Sequence, residues 1–401
     1  MPTADIVIVG GGIIGASIAY QLTMRGAHNV VLLERDTIAS GTSGRATGGI
    51  RQQFSDELDI RFSVEGVRFY EQFTRERDRH PQRPRFYQYG YLFLVTTPTS
   101  WQLMQRFVAL QQSLGVPTQL LTPHDVHQRL PQLVLDGVLG ATFCPTDGYS
   151  DPGAMAQALI QEAQTQGLVV HEHTPVTGIT ITSGRVQAVQ TPQGTIQTPL
   201  IVNATGAYSA FVARLAGITD FPVYPLRRQL YLTEPFSGLP DDVPMVVDLS
   251  TGFHFRRREE RIILTMPLPV SPEEEERNHN LEPDAFALSV NEDFWLEVRA
   301  EIQRRCPSLL KAGIERVWSG LYEMTPDEHP ILGKTEVEGF LCACGFSGHG
   351  FMHAPMAAKL LTELILDGKS TTLPIEPFSN QRFRTGKLPR SIGELRTTRL
   401  L

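Results

Sequence analysis

Asp5-Ile-Val-Ile-Val-Gly-Gly-Gly-Ile-Ile-Gly15 is the stretch whose reading decides the fold. Asp5 to Val9 is a continuous run rich in β-branched residues, the pattern of a strand buried on both faces of a parallel sheet. Gly10, Gly12 and Gly15 follow in GxGxxG spacing. Gly10 permits a tight turn, Gly12 lets backbone approach a phosphate closely, and Gly15 lets the next helix lie close on the strand. Ala16 to Arg25 then reads as that helix, with Ile14, Ile18, Ala19 and Leu22 at helical spacing; Gly26 stops it, and Val30-Val-Leu-Leu33 is a second strand. GxGxxG alone means little, but strand, glycines, helix and strand in this order predict a Rossmann-type dinucleotide-binding unit. The N-terminal N–H groups and dipole of that helix favour a pyrophosphate. Glu34, 19 residues after Gly15, closes the second strand where an acid accepts hydrogen bonds from an adenosine ribose and disfavours a 2′-phosphate.

Around this unit the chain has ordinary globular composition. At 401 residues it exceeds the size at which a single core usually stops growing, so two lobes sharing one crevice are expected. Apolar residues are 41% and charged residues 20%, with no tract biased enough to imply disorder. A net charge of −7 argues against a broad phosphate-binding surface, and nucleic acid is excluded as a partner. Arg256-Arg257-Arg258, followed at once by Glu259-Glu260, reads as a mixed, solvated turn, and Glu273 to Glu276 as the acidic first turn of a helix. Cys144, Cys306, Cys342 and Cys344 are too few for a disulfide framework and point to a reducing compartment. Cys342 and Cys344 fall on one face of an apolar strand and read as packing; no metal site is expected. The run Ile6 to Leu22 lacks a basic segment before it and carries three consecutive glycines, so neither a signal peptide nor a membrane span is expected, and the cytoplasm is the expected location.

Three further segments are rich in small residues. Ser40-Gly-Thr-Ser-Gly-Arg-Ala-Thr-Gly-Gly-Ile-Arg51 follows Glu34; Asn203-Ala-Thr-Gly-Ala207 follows the apolar run Leu200 to Val202; Gly345-Phe-Ser-Gly-His-Gly350 follows Phe340 to Cys344 and precedes a helical pattern from Ala354 to Leu366. Turns at the carboxyl ends of parallel strands are where ligands sit in open α/β sheets, and several of them imply an extended ligand.

With GGGIIGAS followed by Glu34-Arg35, then Thr47-Gly-Gly-Ile-Arg51, Val202-Asn-Ala-Thr-Gly206, Tyr322-Glu-Met-Thr-Pro-Asp327 and Gly345-Phe-Ser-Gly-His-Gly-Phe351, the chain resembles the D-amino-acid oxidase superfamily of FAD-dependent oxidoreductases. Within it, the similarity is to the branch of sarcosine oxidases, glycine oxidases and the flavin subunits of amino-acid dehydrogenases, from Asp5 to about Phe383. The resemblance implies an α/β fold: a Rossmann-type FAD-binding domain from residues 1–85, 145–220 and 320–385, a discontinuous antiparallel-sheet substrate domain from 86–144 and 221–319, and a tail over 386–401. Strand-like runs at Tyr89 to Val95, Arg228 to Leu232, His254 to Arg256 and Arg261 to Thr265 suit that substrate sheet.

The implied reaction is hydride transfer from the carbon beside a substrate amine to flavin N5, with the cofactor carrying the hard chemistry. By resemblance the FAD-contacting positions are Gly10, Gly12, Ile13, Ile14, Gly15, Glu34, Arg35, Thr42, Ser43, Thr47, Gly48, Gly49, Val176, Ala204, Gly206, Gly320, Gly348, Gly350, Phe351 and Met352. Arg51 matches the arginine that sarcosine oxidases place on the substrate carboxylate, a role suited to a planar guanidinium with parallel donors. Tyr322 matches a pocket tyrosine. His349 opens the last helix, where backbone N–H groups stabilise negative charge on a reduced flavin; His353 is a weaker candidate.

The chain also departs from the sarcosine oxidases. Gly320 stands where monomeric ones carry the cysteine bonded to FAD, Ser150 where heterotetrameric ones carry a histidine linked to FMN, and Met352 where a lysine would help hold the carboxylate. Arg261 to Met266, which aligns with their oxygen-activating lysine, contains no lysine. These departures imply non-covalent FAD and a dehydrogenase resembling proline dehydrogenase β subunits, which share GFSGHGFM and work with partner chains that relay electrons. An oxygen-using sarcosine- or glycine-type oxidase and a non-catalytic FAD-binding assembly factor are the alternatives, and proline, sarcosine, glycine and dimethylglycine all suit the motifs as substrate.

Overall fold

The computed structural model describes residues 2–75, 81, 83–268, 281–286, 290–386 and 388. A six-stranded sheet runs in the order Ile331–Lys334, Phe340–Cys344, Ile201–Asn203, Ile6–Val9, Val30–Leu33, Val169–His171. All neighbours are parallel except the edge strand Ile331–Lys334. Ile8 lies beside both Val202 and Leu32, so the turns that follow these strands emerge along one edge.

Strand alternation explains why the opening run is apolar throughout. Ile6, Ile8, Val30 and Leu32 face a core built with the helices Ile13–Met24, Pro152–Thr165 and Gly350–Leu366. Val7, Val9, Val31 and Leu33 face the other way, onto the helix Ser209–Leu215 and the three-stranded sheet of Gly178–Thr182, Arg185–Thr191 and Gly194–Gln197. The first helix begins at Ile13, three residues before the sequence pattern placed it. Packed against both other helices of its core, it buries Ala16, Ser17 and Thr23 along with its apolar stripe. The helix Gly350–Leu366 likewise starts four residues earlier than Ala354, with Pro355 inside it. A proline there offers no N–H to the carbonyl four residues back; that carbonyl, of Phe351, accepts instead from Tyr70 Oη at 2.7 Å.

The second large sheet has eight strands in the order Ile314–Met324, Tyr224–Thr233, Arg261–Thr265, His254–Arg258, Met245–Asp248, Tyr91–Val95, Gly140–Cys144, Gln119–Leu121. It is antiparallel apart from one pair, since Met245–Asp248 runs parallel to Tyr91–Val95. The expected antiparallel substrate sheet is present, with this one parallel pair inside it. A parallel pair needs a long crossover, and the chain between Val95 and Met245 supplies one.

The expectation for the arginine triplet is corrected. Arg256 and Arg257 lie in the strand His254–Arg258 and are 4% and 7% exposed. Arg256 donates to the carbonyls of Thr47 and Ser150, and Arg257 to those of Phe236, Leu239 and Pro240. Burial pushes Arg256 down to about 10. Each guanidinium is tolerated inside because loop carbonyls, distant in sequence, satisfy its donors. Arg258 pairs with Asp151 at 3.0 Å. The acidic run Glu273 to Glu276 and the tail beyond 388 lie outside the described residues. Cys342 and Cys344 are buried packing residues, as expected.

One buried ion pair ties the motif that starts at Tyr322 to the end of the fold. Arg382 donates to both oxygens of Asp327, at 2.7 and 3.0 Å, and to His329 O at 2.8 Å, with both side chains 2% exposed. Removing one partner strands the other charge, so Asp327→Ala is expected to destabilise the fold by about 3–5 kcal/mol. A urea midpoint equal to that of the parent chain would show that the pair contributes nothing.

Candidate active site

A cavity of about 1250 Å³ opens along the carboxyl edge of the six-stranded sheet. An ordinary small-molecule pocket holds roughly 300–1,000 Å³, so this one suits an extended ligand. All the positions assigned to it from sequence line it except Gly15. Gly15 lies beneath, where a Cβ would sit 1.9 Å from Gly10 O; it serves helix-on-strand packing.

Glu34 both lines the cavity and braces the turn, its carboxylate accepting from Gly11 N at 2.7 Å and Asp36 N at 2.9 Å. Ser43 Oγ accepts from Ile13 N at 2.9 Å, and Thr42 Oγ1 donates to Leu321 O at 2.7 Å, so the small-residue segment is pinned between the first helix and the eight-stranded sheet. Among the described residues, the N–H groups of Gly12 and Ile14 have no protein acceptor, leaving donors at a helix N-terminus as an anion requires. The Arg35 guanidinium stacks on Tyr208 at 4.0 Å, donates to Tyr208 Oη at 2.8 Å and pairs with Asp284. Val176, Ala204, Gly206, Tyr208 and Asp284 complete this part of the lining.

Arg51, 4% exposed, lies elsewhere along the same cavity. Its Nη1 donates to Gln53 O, its guanidinium lies 3.9 Å over the Phe54 ring, and its Nη2 is 3.3 Å from His349 Nε2. Burial lowers its pKa from the ordinary arginine value, which still leaves it cationic at neutral pH. Burial, and then the neighbouring Arg51 charge, holds His349 well below the usual histidine value. The ring is therefore neutral, and its Nε2 is the acceptor for Arg51 Nη2. His349 is also the N-cap of Gly350–Leu366, so Gly350, Phe351 and Met352 present the first turn of that helix to the cavity. Tyr322 stands beside the Gly348 turn. With φ of +90° there, and a Cβ that would meet the Tyr322 ring at 2.6 Å, only glycine fits. His353 is buried outside the lining, with Nε2 at 2.9 Å from Ser63 Oγ.

The sequence reading missed Tyr91, Phe93 and His254, which also line this part. The expected strand at Tyr89 to Val95 carried their alternation, yet periodicity does not say which face meets a ligand. His254 Nδ1 donates to Gly252 O at 2.8 Å, and burial pushes this imidazole down to about 4. Also missed was the group Asp56, Asp59 and His329, whose ligand atoms lie within 4.8 Å of one another. Burial opposes the charge on His329, but Asp59, 3.5 Å away, raises it to about 9, so the two form an ion pair.

A Rossmann-type sheet whose turns line one long cavity with a second sheet defines a dinucleotide-binding protein. The profile of the FAD dependent oxidoreductase family (DAO) matches residues 5–364, and the chain belongs to that family. It is 31% identical over 425 residues to FAD-dependent oxidoreductase domain-containing protein 1 of Bos taurus, covering 96% of this chain and 85% of that one. Human mitochondrial sarcosine dehydrogenase is 28% identical over 92% of this chain, which spans 40% of that protein's length. Among solved structures, L-proline dehydrogenase from P. horikoshii superposes with a TM-score of 0.88 at 32% identity, over 97% of this chain and 100% of that one. Glycine oxidase from Geobacillus kaustophilus, at 24% identity and a TM-score of 0.82, shares the fold.

Proposed function

We propose that this protein oxidises a small amino acid of proline, sarcosine or glycine type at the carbon beside its amine, acting as a dehydrogenase. One observation carries the reading: a buried guanidinium, its neighbours a neutral imidazole and aromatic rings, lines the same cavity as the dinucleotide turn.

The lining fits FAD. Donors at Gly12 and Ile14 suit its pyrophosphate, Glu34 its ribose and Val176 its adenine. Thr42, Ser43, Thr47, Gly48, Gly49, Gly320 and the 348–352 turn suit the remainder. FAD, when bound, supplies a two-electron acceptor for the hydride leaving the substrate carbon. Arg51 receives the substrate carboxylate through charge-assisted donors. The neutral His349 ring accepts from one of those donors and adds no competing charge. Tyr91, Phe93 and Tyr322 form an aromatic wall that excludes water and orients the amine. In the substrate, bound as the neutral amine, the C–H bond breaks with its electron pair leaving as hydride, the nitrogen lone pair closes a C=N bond, and the resulting iminium releases its N–H proton to solvent. The likeness to L-proline dehydrogenase supports this substrate class, and the lack of a lysine from Arg261 to Met266 supports electron transfer to a partner chain or carrier rather than to oxygen.

Acid precipitation is expected to release the flavin from the chain, since position 320 offers no thiol. Anaerobic mixing with proline, sarcosine and glycine in turn is expected to bleach the flavin with one of them, with slow recovery in air. If neither these nor other amines bleach it, the catalytic reading falls and a FAD-binding assembly factor takes its place. Fast recovery in air would make the enzyme an oxidase.

A further inference from the structure

We propose that Asp147 is the positioning residue for Arg51, and that carboxylate recognition at the site depends on it; the inference rests on the role given to Arg51 above. Asp147 lies between the strands Gly140–Cys144 and Gly148–Tyr149 and is fully buried. Its Oδ1 accepts from Gln52 N at 2.9 Å and Gln52 Nε2 at 3.0 Å, and its Oδ2 from Gln53 Nε2 at 3.1 Å. It thus grips the two residues that follow Arg51. Gln53 then returns its carbonyl oxygen to Arg51 Nη1.

The Gln53 amide cannot turn over. Its Nε2 also donates to Tyr91 O at 3.0 Å, and its Oε1 accepts from Thr142 Oγ1 at 2.6 Å. An acceptor is therefore needed on each side of residue 147, which a carboxylate supplies and a carboxamide does not. In an Asp147→Asn chain, either the Gln53 amide or the two Gln52 N–H groups face an NH2 donor, and the Gln52–Gln53 backbone that aims the guanidinium is released. Because a substrate carboxylate must meet a planar donor pair, a small displacement of Arg51 weakens it selectively.

A carboxylate this deep carries a titration signature. Burial raises Asp147 to about 6, against the pull of the Gln52 and Gln53 donors. The other charged or titratable groups facing it are Arg51, Tyr91 and Cys144. The ionised form, which holds both glutamines, is complete above that value and is lost as pH falls through it.

The test uses the flavin-loaded full chain, titrated with tetrahydrofuroate and with its uncharged amide while the flavin absorbance is followed. The parent protein is expected to bind the carboxylate progressively more weakly below about pH 6, with the amide unaffected. Asp147→Asn is expected to raise the carboxylate Kd about tenfold at neutral pH, abolish that pH dependence and leave flavin content unchanged. Thr142→Val, which frees the Gln53 amide alone, is expected to shift the Kd the same way by less. A parental carboxylate Kd in Asp147→Asn overturns the proposal, as does an inflection near pH 6 that survives the substitution, or equal weakening of both ligands. Should Asp147→Asn fail to fold, a parental Kd in Thr142→Val overturns it equally. Arg51→Ala separates the two levels: if that variant still prefers the carboxylate to the amide, the role given to Arg51 is what fails.

Discussion

Gly15→Ala is expected to yield a chain that retains no flavin and melts far below the parent protein. A Cβ at residue 15 would lie 1.9 Å from Gly10 O and 3.1 Å from the carbonyl carbon behind it. Both atoms are backbone, in a turn held by Gly10 N donating to Leu33 O at 2.8 Å, so no side chain can swing aside. Overpacking of a core by a methyl group ordinarily costs about 1–3 kcal/mol. Here the relief must come from parting helix and strand, which displaces the Gly12 and Ile14 donors and loosens a helix packed against Pro152–Thr165 and Gly350–Leu366. The flavin-to-protein absorbance ratio after purification, together with the melting temperature, reads the effect. A stoichiometric, normally stable Gly15→Ala protein would mean that close helix-on-strand approach is not what this position provides.

The second large effect is expected at Arg51. Arg51→Ala removes the cation from the cavity and should lower kcat/KM for the amino-acid substrate by about 10²–10³-fold, the usual scale for losing one partner of a buried charge-assisted pair. Arg51→Lys should recover only part of this. A lysine ammonium is a point charge without the fork of donors, and it cannot lie over Phe54 while reaching Gln53 O as the guanidinium does. Pyrrolidine, which has the amine and no carboxylate, should be oxidised equally slowly by parent and variant if it is a substrate at all. Equal losses on proline and pyrrolidine would assign Arg51 to the integrity of the cavity rather than to the carboxylate.

Much of the site was legible because its information is local. Gly10 to Gly15, the segment Ser40 to Arg51, and the turns at Asn203 and Gly345 each stand out by residue type alone, and residues from each of them, with Glu34, line one cavity. Arg256 and Arg257 misled for the complementary reason. Three arginines before two glutamates look solvated unless the carbonyls of Thr47, Ser150, Phe236, Leu239 and Pro240 are known to surround them. Asp147 drew no notice at all, because an aspartate between two short strands has no local mark of burial.

The sequence by itself determined the dinucleotide-binding unit, the family and the positions of the glycine turns, since these depend on backbone conformation and on periods of two and 3.6 residues that a chain carries along its length. Only the tertiary structure decided the parallel pairing of Met245–Asp248 with Tyr91–Val95, the aromatic wall of Tyr91 and Phe93, and the grip of Asp147 on Gln52 and Gln53. Those features join residues from about 40 to 150 positions apart. Taking charges and amides out of water costs free energy, so a contact such as the Asp147 grip exists only once the chain has brought the compensating groups together.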